Sequence, residues 1–181
     1  SVANTILTNQ INSNIILYEK RKIETIDFFV KERKLDAYQL ASLPAIRSFY
    51  KKISGSNGEF FGSYISDFLS GSGFQSFVLI KIDGTVIYSS DNKDEEGKPV
   101  RSIPDYYDAF NVSTVLMLPY VSYSFSEYSR RDDKVFIAAP VMDDGKLLGV
   151  LILSMRKQAI IEVIDNNVLD ITATSISGIL N

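Results

Sequence analysis

The stretch KVFIAAPVMDDGKLLGVLILSM, residues 134–155, decides how the rest of the chain is interpreted. It contains two nearly continuous apolar runs on either side of DDG at positions 143–145. Asp and Gly favour tight turns, because they tolerate the unusual backbone dihedrals that a chain reversal requires. Residues 134–141 and 147–155 are therefore predicted to form an antiparallel hairpin. Strands so rich in apolar residues are typical of the centre of a sheet that is covered on both faces.

A second hairpin is predicted nearer the middle of the chain. Asp83-Gly84 separates residues 76–82 from residues 85–89, and Asp-Gly between two such runs is a strong short-range signal for a tight hairpin turn. Between the two hairpins the pattern predicts one helical turn and one aromatic-rich strand, residues 104–110 and 115–124. The sequence thus predicts five strands, all between residues 74 and 155.

Both ends of the chain are predicted to be helical. Apolar residues recur at helical spacing from about residue 6 to residue 50, and again over residues 158–180. Pro44 lacks a backbone donor and disfavours a helical Leu43, so the first helix should kink or restart there. A short apolar helix is expected at residues 60–69. A helix of about 40 residues would be roughly 60 Å long, which is more than a compact domain needs, so its first half should project.

The projecting half of this helix predicts a homodimer. An apolar stripe on a projecting helix would face water, so residues 14–30 are expected to pair with the same helix of a second copy. A core helix preceded by a disordered leader would give the same pattern, and the sequence leaves this alternative open.

The composition excludes several classes of function. Hydrophobic residues make up 45% of the 181 residues and charged residues 23%, which is typical of a folded protein, and a single domain covering residues 1–181 is predicted. A net charge of -3 without clustered Lys and Arg argues against nucleic-acid binding. The absence of Cys and His removes thiolate nucleophiles, imidazole bases and the usual zinc ligands. We therefore predict no enzymatic activity, no catalytic residues, no metal site and no cofactor.

Three local motifs carry little weight. Residues 48–51 fit the S-x-x-K pattern of serine acyl-enzymes, but the companion S-D-N and K-T-G elements are absent. The glycines at 71 and 73 lack the third glycine of a dinucleotide loop, and they precede a predicted strand instead of following one. The acidic loop at residues 91–98 lacks the alternating ligands of an EF-hand, so a solvated loop is favoured and cation binding stays open.

Tyrosines are concentrated between the second and fourth predicted strands. A tyrosine ring offers apolar surface and its hydroxyl one directed hydrogen bond, which suits a small polar ligand in a mostly apolar pocket. Arg101 is the cation within this aromatic group, and a guanidinium can hold a carboxylate through two hydrogen bonds. Packing of the rings on the sheet and a surface ion pair of the arginine are the alternatives. The predicted ligand-binding residues are Tyr88, Arg101, Tyr106, Tyr107, Tyr120 and Tyr123.

Four stretches together resemble a known family. LASLPAIRSFY, at the end of the long helix, is followed by FQSFVLIKIDGTVIYSS, LPYVSYS and VFIAAPVMDDGKLLGVLILSM. Over about residues 34–155 the chain resembles Cache domains, the PAS-like periplasmic sensor domains of bacterial chemoreceptors, sensor kinases and diguanylate cyclases. The resemblance implies an α+β fold with a five-stranded antiparallel sheet, a long N-terminal helix across one face and a C-terminal helix. The corresponding segments are residues 1–50, 74–155 and 156–181.

The resemblance also implies a ligand chamber between the other face of the sheet and the loops that link the second and third strands. In relatives that bind amino acids, an Arg and a nearby aromatic residue after the second strand bind the carboxylate, and Arg101 with Tyr106 and Tyr107 occupies the similar place. Those relatives have a Trp close after the Arg and an Asp at the end of the last strand. This chain has no Trp, and Ser154 and Met155 stand at the strand end. A carboxylate or another small metabolite is therefore implied as readily as an amino acid.

These observations predict a ligand-sensing domain of a membrane-anchored bacterial receptor, which passes its signal through the terminal helices. The longest apolar run, residues 147–153, has seven residues, against about 20 needed to cross a bilayer. The resemblance implies that both ends join transmembrane helices in the parent protein, so we expect a domain of a larger protein, located on the periplasmic or extracellular face of the cytoplasmic membrane. A ligand-free dimerisation or partner-docking module and a cytosolic PAS-like or profilin-like scaffold are the alternatives.

Overall fold

The fold is an α+β arrangement built on one antiparallel sheet. The computed structural model describes residues 2–51, 58–123 and 134–166, with all their side chains except those of residues 3, 4, 7, 58–64 and 123. Helices and strands occur in the order α1 (Val2–Ala41), α2 (Pro44–Lys51), α3 (Gly58–Ser72), β1 (Ser76–Lys81), β2 (Val86–Ser89), α4 (Pro104–Leu116), β3 (Tyr120–Tyr123), β4 (Lys134–Asp143) and β5 (Lys146–Arg156). Short 3₁₀ turns at Lys93–Glu95 and Val100–Ser102 lie between β2 and α4.

The sheet has five strands in the spatial order β2-β1-β5-β4-β3, and every neighbouring pair is antiparallel. The predicted α+β class and five-stranded antiparallel sheet are therefore confirmed. β4 and β5, the two strands of the opening stretch, are the longest, and β5 lies at the centre between β1 and β4. Their apolar runs are buried, as expected for strands covered on both faces.

Both predicted hairpin turns are present. Gly84 has a φ of 85°, and Asp83 Oδ1 accepts a hydrogen bond of 2.9 Å from the Thr85 backbone N–H. This bond to the ionised form lowers the pKa of the Asp83 carboxyl. At the second turn Asp144 and Gly145 have φ values of 45° and 78°, the left-handed conformations that a two-residue hairpin turn requires.

The long N-terminal helix breaks where Pro44 predicted a break. α1 ends at Ala41 and α2 begins at Pro44, so Ser42 and Leu43 connect the two helices. The Ser42 backbone N–H donates to Tyr38 O at 3.0 Å, and the Leu43 N–H donates to Leu40 O at 3.1 Å. The connection is therefore short and hydrogen-bonded to the last turn of α1.

The prediction of a strand over residues 115–124 is wrong at its start. α4 continues to Leu116, and Met117, with a φ of 52°, ends the helix before β3 begins at Tyr120. α4 is longer than the predicted turn because its core-facing residues recur at helical spacing well beyond the first turn. These residues are Tyr106, Ala109, Phe110 and Ser113.

The two faces of the sheet are covered by different helices. On one face, called the α4 face, strand residues including Val78, Ile80 and Phe136 form one buried cluster with α4 residues. The opposite face, called the α2 face, carries Phe77, whose ring stacks on Tyr88, and Phe49 of α2 packs edge to face on the same Tyr88 ring. α2 contacts β4 and β5. The sheet core is therefore closed on both sides, which accounts for the apolar character of its central strands.

Contacts within the chain define two compact units. Of the described residues, 2–31 group with 158–166, and those between 32 and 157, which contain the sheet, form the other unit. The first unit joins the beginning of α1 with the C-terminal helical segment, which the structure describes as helical over residues 157–166. The rest of the helix predicted at 158–180 lies outside the described residues. The prediction of one domain over residues 1–181 stays a prediction. No described helix offers an apolar stretch long enough to cross a bilayer.

Candidate ligand-binding site

A row of hydroxyl groups crosses the α4 face of the sheet at one end. Residues that are directly paired across neighbouring strands share a face, and the pairs Ser76↔Ser154, Ser154↔Phe136 and Phe136↔Ser122 run from β1 to β3. We call Ser76, Ser154 and Ser122 the serine row. All three residues are buried. The row borders the apolar cluster under α4, because Phe136 belongs to both.

The serine row is unusual because hydroxyls on a covered sheet face cost free energy unless they are hydrogen-bonded. Ser76 Oγ and Ser154 Oγ lie 2.5 Å apart, so one of the two hydroxyls donates to the other. The hydroxyl that accepts keeps its own proton, and both oxygens keep acceptor capacity. The row therefore offers hydrogen-bonding capacity at a place where strand patterning alone would favour apolar side chains.

One charged pair stands beside the serine row. Lys134 is two positions before Phe136 on β4, so its side chain leaves the same face of the sheet. Its Nζ lies 3.4 Å from Asp91 Oδ2, in the loop after β2. The Lys134 side chain is 23% exposed and that of Asp91 33% exposed, so the pair is open to water on one side. An ammonium group in this position can bind an anionic group of a ligand.

A buried carboxylate joins β2, the following loop and α4. Glu95 is 6% exposed, and its Oε2 accepts hydrogen bonds from Tyr106 Oη at 3.1 Å and from Ser89 Oγ at 3.3 Å. Its Oε1 accepts a bond of 2.9 Å from Asn92 Nδ2. The Tyr106 ring also packs edge to face against Phe136, with centroids 5.4 Å apart. Glu95 therefore positions the first turn of α4 next to the serine row.

Two of the six predicted ligand-binding residues lie on the α4 face. Tyr106 is 2% exposed and points into the cluster between α4 and the sheet. Tyr120 is half-buried at the start of β3 and is paired with Ala138, a member of the same cluster. Buried side chains fill the part of this face that lies under α4. The ligand chamber was expected in this region, and the serine row lies at its polar border.

Tyr88 lies on the opposite face from Tyr106. Simple alternation along β2 would place Tyr88 on the same face as Val86, but the pairing of β1 and β2 shifts between Leu79 and Ile80. Tyr88 is consequently paired with Leu79 on the α2 face, where its ring stacks on Phe77 at a centroid distance of 4.9 Å. This irregularity is the physical reason why Tyr88 is not grouped with the other predicted residues.

The remaining predicted residues are not brought together. Arg101 is exposed in the 3₁₀ turn Val100–Ser102, whose buried member is Val100. Tyr107 is 43% exposed on the outer side of α4. Tyr123 is the last residue of β3 and is paired with Val135, and its side chain lies outside the described set.

The acidic loop after β2 is organised by its own hydrogen bonds. Asn92 Oδ1 caps the 3₁₀ turn by accepting from the Asp94 backbone N–H, and Glu96 Oε1 accepts from the Ser89 N–H at 3.1 Å. Lys93 Nζ pairs with the same Glu96 oxygen at 2.9 Å. In the part of the chain that the structure describes, no three acidic residues converge in a way that could hold a metal ion.

Sequence reasoning missed the residues that give this site its polar character. Glu95 stood in a loop that the sequence marked as solvated, and no periodic pattern indicates that one of its four acidic residues turns inward. Ser154 was noted only as a departure from relatives. Lys134 was detectable, since a charge two residues before Phe136 in a buried strand must lie on the same face.

Comparisons with solved structures find this fold in sensor domains of bacterial receptors. The Escherichia coli DcuS sensor domain superposes with a TM-score of 0.59 and 15% identity, covering 78% of this chain and 98% of that one. The sensor domain of the Vibrio cholerae histidine kinase DctB superposes with a TM-score of 0.63 and 16% identity, covering 83% of this chain and 58% of that one. The sensory domain of the Campylobacter jejuni chemoreceptor Tlp3 with isoleucine bound superposes with a TM-score of 0.64 and 14% identity, covering 88% of this chain and 65% of that one.

These similarities concern the fold. The chain spans nearly the full length of the DcuS domain but less than two thirds of the DctB and Tlp3 domains. No protein-family model matches the sequence, and no curated protein shows significant similarity to it. The fold implied by the resemblance to Cache, or PAS-like periplasmic, sensor domains is confirmed.

Proposed function

We propose that the chain is the extracytoplasmic ligand-sensing domain of a membrane-anchored bacterial receptor. The observation that carries this proposal is the serine row with Lys134 beside it, a set of polar groups at the border of an otherwise apolar sheet face. Binding sites for small molecules combine apolar walls with a few such polar groups. The structural likeness to sensor domains, one of them with isoleucine bound, supports the same interpretation.

The ligand proposed for this site is a small molecule with an anionic group such as a carboxylate. Lys134 provides the cation, the serine hydroxyls provide hydrogen bonds, and Tyr106, Tyr120 and Phe136 provide aromatic surface. Lys134 takes the role that the sequence suggested for Arg101, because Arg101 is exposed in a turn. Tyr107 and Tyr123 stay candidates from the sequence, and Tyr88 is left out because it lies on the α2 face.

The signal is proposed to leave through the helices joined to the sheet. A ligand shifts a two-state equilibrium only by its differential affinity for the two states, and tenfold selectivity supplies about 1.4 kcal/mol. β5 ends at Arg156 and the chain continues directly as the C-terminal helical segment. A small displacement of α4 or of the strand ends would therefore be transmitted to elements that lead out of the sheet.

A thermal-shift screen of the 181-residue chain against carboxylates, amino acids and other small metabolites tests the proposal. A ligand at 100 times its dissociation constant adds about 2.7 kcal/mol, which for a protein of this size raises Tm by about 5–10 °C. Lys134→Met should reduce this shift to a small fraction, because the cation that binds the anionic group is lost. Arg101→Met removes an exposed cation and is the matched control, which should leave the shift unchanged.

Two outcomes of the screen would contradict the assignment. If Arg101→Met abolishes the shift and Lys134→Met does not, the ligand binds at the residue favoured by the sequence and the serine row is not the site. If no compound in a broad panel stabilises the chain, a ligand-free dimerisation or docking module becomes the better description.

We also propose that the outer surface of α1 mediates homodimerisation. Ile16, Leu17, Ile23 and Phe28 are exposed, and at 100° per residue they fall on one side of the helix. Ile26, Phe29 and Val30 on the other side are half-buried. Ion pairs between Lys20 and Glu24 and between Asp27 and Lys31 lie among the exposed apolar residues. Pairing with the same helix of a second copy would remove the exposed apolar residues from water.

Charged substitutions on this surface test the dimer. The double variant Ile23→Asp, Phe28→Asp should weaken self-association at least about tenfold, which corresponds to about 1.4 kcal/mol, because two carboxylates would be placed in an apolar interface. Sedimentation at rising concentration measures this. The control Ser66→Asp, Gln75→Asp adds the same charge at exposed positions outside α1. A strictly monomeric parent chain at millimolar concentration would contradict the proposal.

A further inference from the structure

The hydroxyl of Tyr50 joins α2 to both central strands of the sheet. Tyr50 is buried, and its Oη donates toward Ile80 O on β1 at 3.1 Å and Val150 O on β5 at 2.9 Å. Ile80 and Val150 are directly paired across the two strands. One hydroxyl proton is therefore shared between carbonyls of two different strands, and its geometry depends on how these strands lie relative to each other.

The surroundings of Tyr50 keep its hydroxyl in this position. Gly149, the residue before Val150, leaves room for the ring, since a Cβ added there would lie 2.5 Å from Tyr50 Cε1. Burial raises the pKa of the Tyr50 hydroxyl well above its usual range, and the bond to Ile80 only partly opposes this effect. The group is therefore a neutral donor throughout the physiological range.

A second contact fixes the same end of α2. Lys51 Nζ lies 2.5 Å from Asp143 Oδ2, at the beginning of the β4–β5 turn. At its other end α2 follows α1 through Ser42 and Leu43, and the Arg47 backbone N–H donates to Leu43 O at 3.2 Å. α2 is thus held to the sheet at its C-terminus and to the last turn of α1 at its N-terminus.

The same two strand residues share a buried cluster with α4 residues. The side chains of Ile80 and Val150 belong to the buried cluster on the α4 face, together with Tyr106, Ala109 and Phe110. Their carbonyl oxygens bind Tyr50. A displacement of α4 that moves these side chains therefore moves the atoms to which Tyr50 is bonded.

We propose that Tyr50 is the positioning residue that couples α4 to the end of α1. In this arrangement Ile80 and Val150 receive a displacement of α4 through their side chains and pass it to α2 through the hydroxyl of Tyr50. The inference rests on the proposed function, in which α4 is the element that a ligand displaces. It deepens that proposal by naming the residue through which binding reaches the N-terminal helix.

Amide hydrogen exchange in the unliganded chain tests the coupling. Ala109→Val enlarges a fully buried α4 residue and displaces α4 away from the sheet. With Tyr50 intact, this change should alter the exchange protection of residues 46–51 by about fivefold or more, the lower range of known couplings. In the Tyr50→Phe background, which keeps the ring and removes the hydroxyl, the effect should fall below about twofold. Amides of residues 151–153 in β5, measured in parallel, report global unfolding.

The outcome does not depend on finding a ligand, so failure of the screen and failure of the coupling can be told apart. Tyr107→Phe removes an exposed hydroxyl from α4 and should leave the transmitted effect intact. The proposal is overturned if Ala109→Val changes the exchange protection of residues 46–51 equally with and without the Tyr50→Phe substitution. It is also overturned if this change is no larger than the change measured in β5. If Ala109→Val does not fold, Tyr106→Phe releases the same helix from its hydrogen bond to Glu95. If Tyr50→Phe does not fold, Lys51→Met weakens the same anchor.

Discussion

Replacing Gly149 by alanine is expected to lower the free energy of unfolding by about 3 kcal/mol or more, at the upper end for overpacked cores. A Cβ at this position would overlap the carbonyl oxygen of Ile80 and would lie 2.5 Å from Tyr50 Cε1. A flexible side chain can rotate away from such a contact, but the Ile80 oxygen is part of the backbone of the neighbouring strand. β1 and β5 would have to separate at the centre of the sheet.

Chemical denaturation of Gly149→Ala and of a matched glycine variant measures this effect. Gly71 lies in α3, has no atom within 4 Å of an added Cβ and does not need a positive φ. Gly71→Ala should therefore be neutral or stabilising by about 0.5–1 kcal/mol, because alanine loses less conformational entropy in a helix. If the two variants are equally stable, the close approach of β1, β5 and Tyr50 does not exist in solution.

The four strands of the two hairpins could be predicted from the sequence because their signals are local. Asp83-Gly84 and Asp144-Gly145 supply left-handed turn residues, and the alternating or continuous apolar runs beside them define the strand faces. The break before Pro44 was also predictable, since proline acts on its own backbone and on the preceding residue. These features need no knowledge of distant parts of the chain.

The site was predicted only in part because its residues are positioned by long-range contacts. The face of Tyr88 depends on a register shift between β1 and β2, which no pattern within β2 reveals. The role of Gly149 depends on Tyr50, far earlier in the chain, and a glycine within an apolar run suggests only a close approach of unspecified partners. The same applies to Glu95, whose partner Tyr106 belongs to a helix that the sequence indicated only as a turn.

Removing the Glu95 carboxylate is the second change with a large expected effect. Glu95→Leu removes the buried carboxylate that accepts from the hydroxyls of Tyr106 and Ser89, and a hydrogen bond to a charged group contributes about 1.5–3 kcal/mol. We expect a loss of about 3 kcal/mol in unfolding free energy, together with faster amide exchange in the first turn of α4. Asp94→Leu removes an exposed carboxylate of the same turn, and it should change stability by less than about 0.5 kcal/mol.

A double-mutant cycle separates the hydrogen bond from the loss of packing at Glu95. In the parent chain Tyr106→Phe removes a donor from a buried carboxylate and should cost about 1 kcal/mol. In the Glu95→Leu background the hydrogen bond between these two side chains is already lost, so the same change should be neutral or stabilising. The resulting interaction energy of at least about 1 kcal/mol exceeds the roughly 0.3–0.5 kcal/mol found for independent sites. Additive effects in urea denaturation would mean that Glu95 does not hold α4 through Tyr106, and the site would then lose the contact that positions this helix beside the serine row.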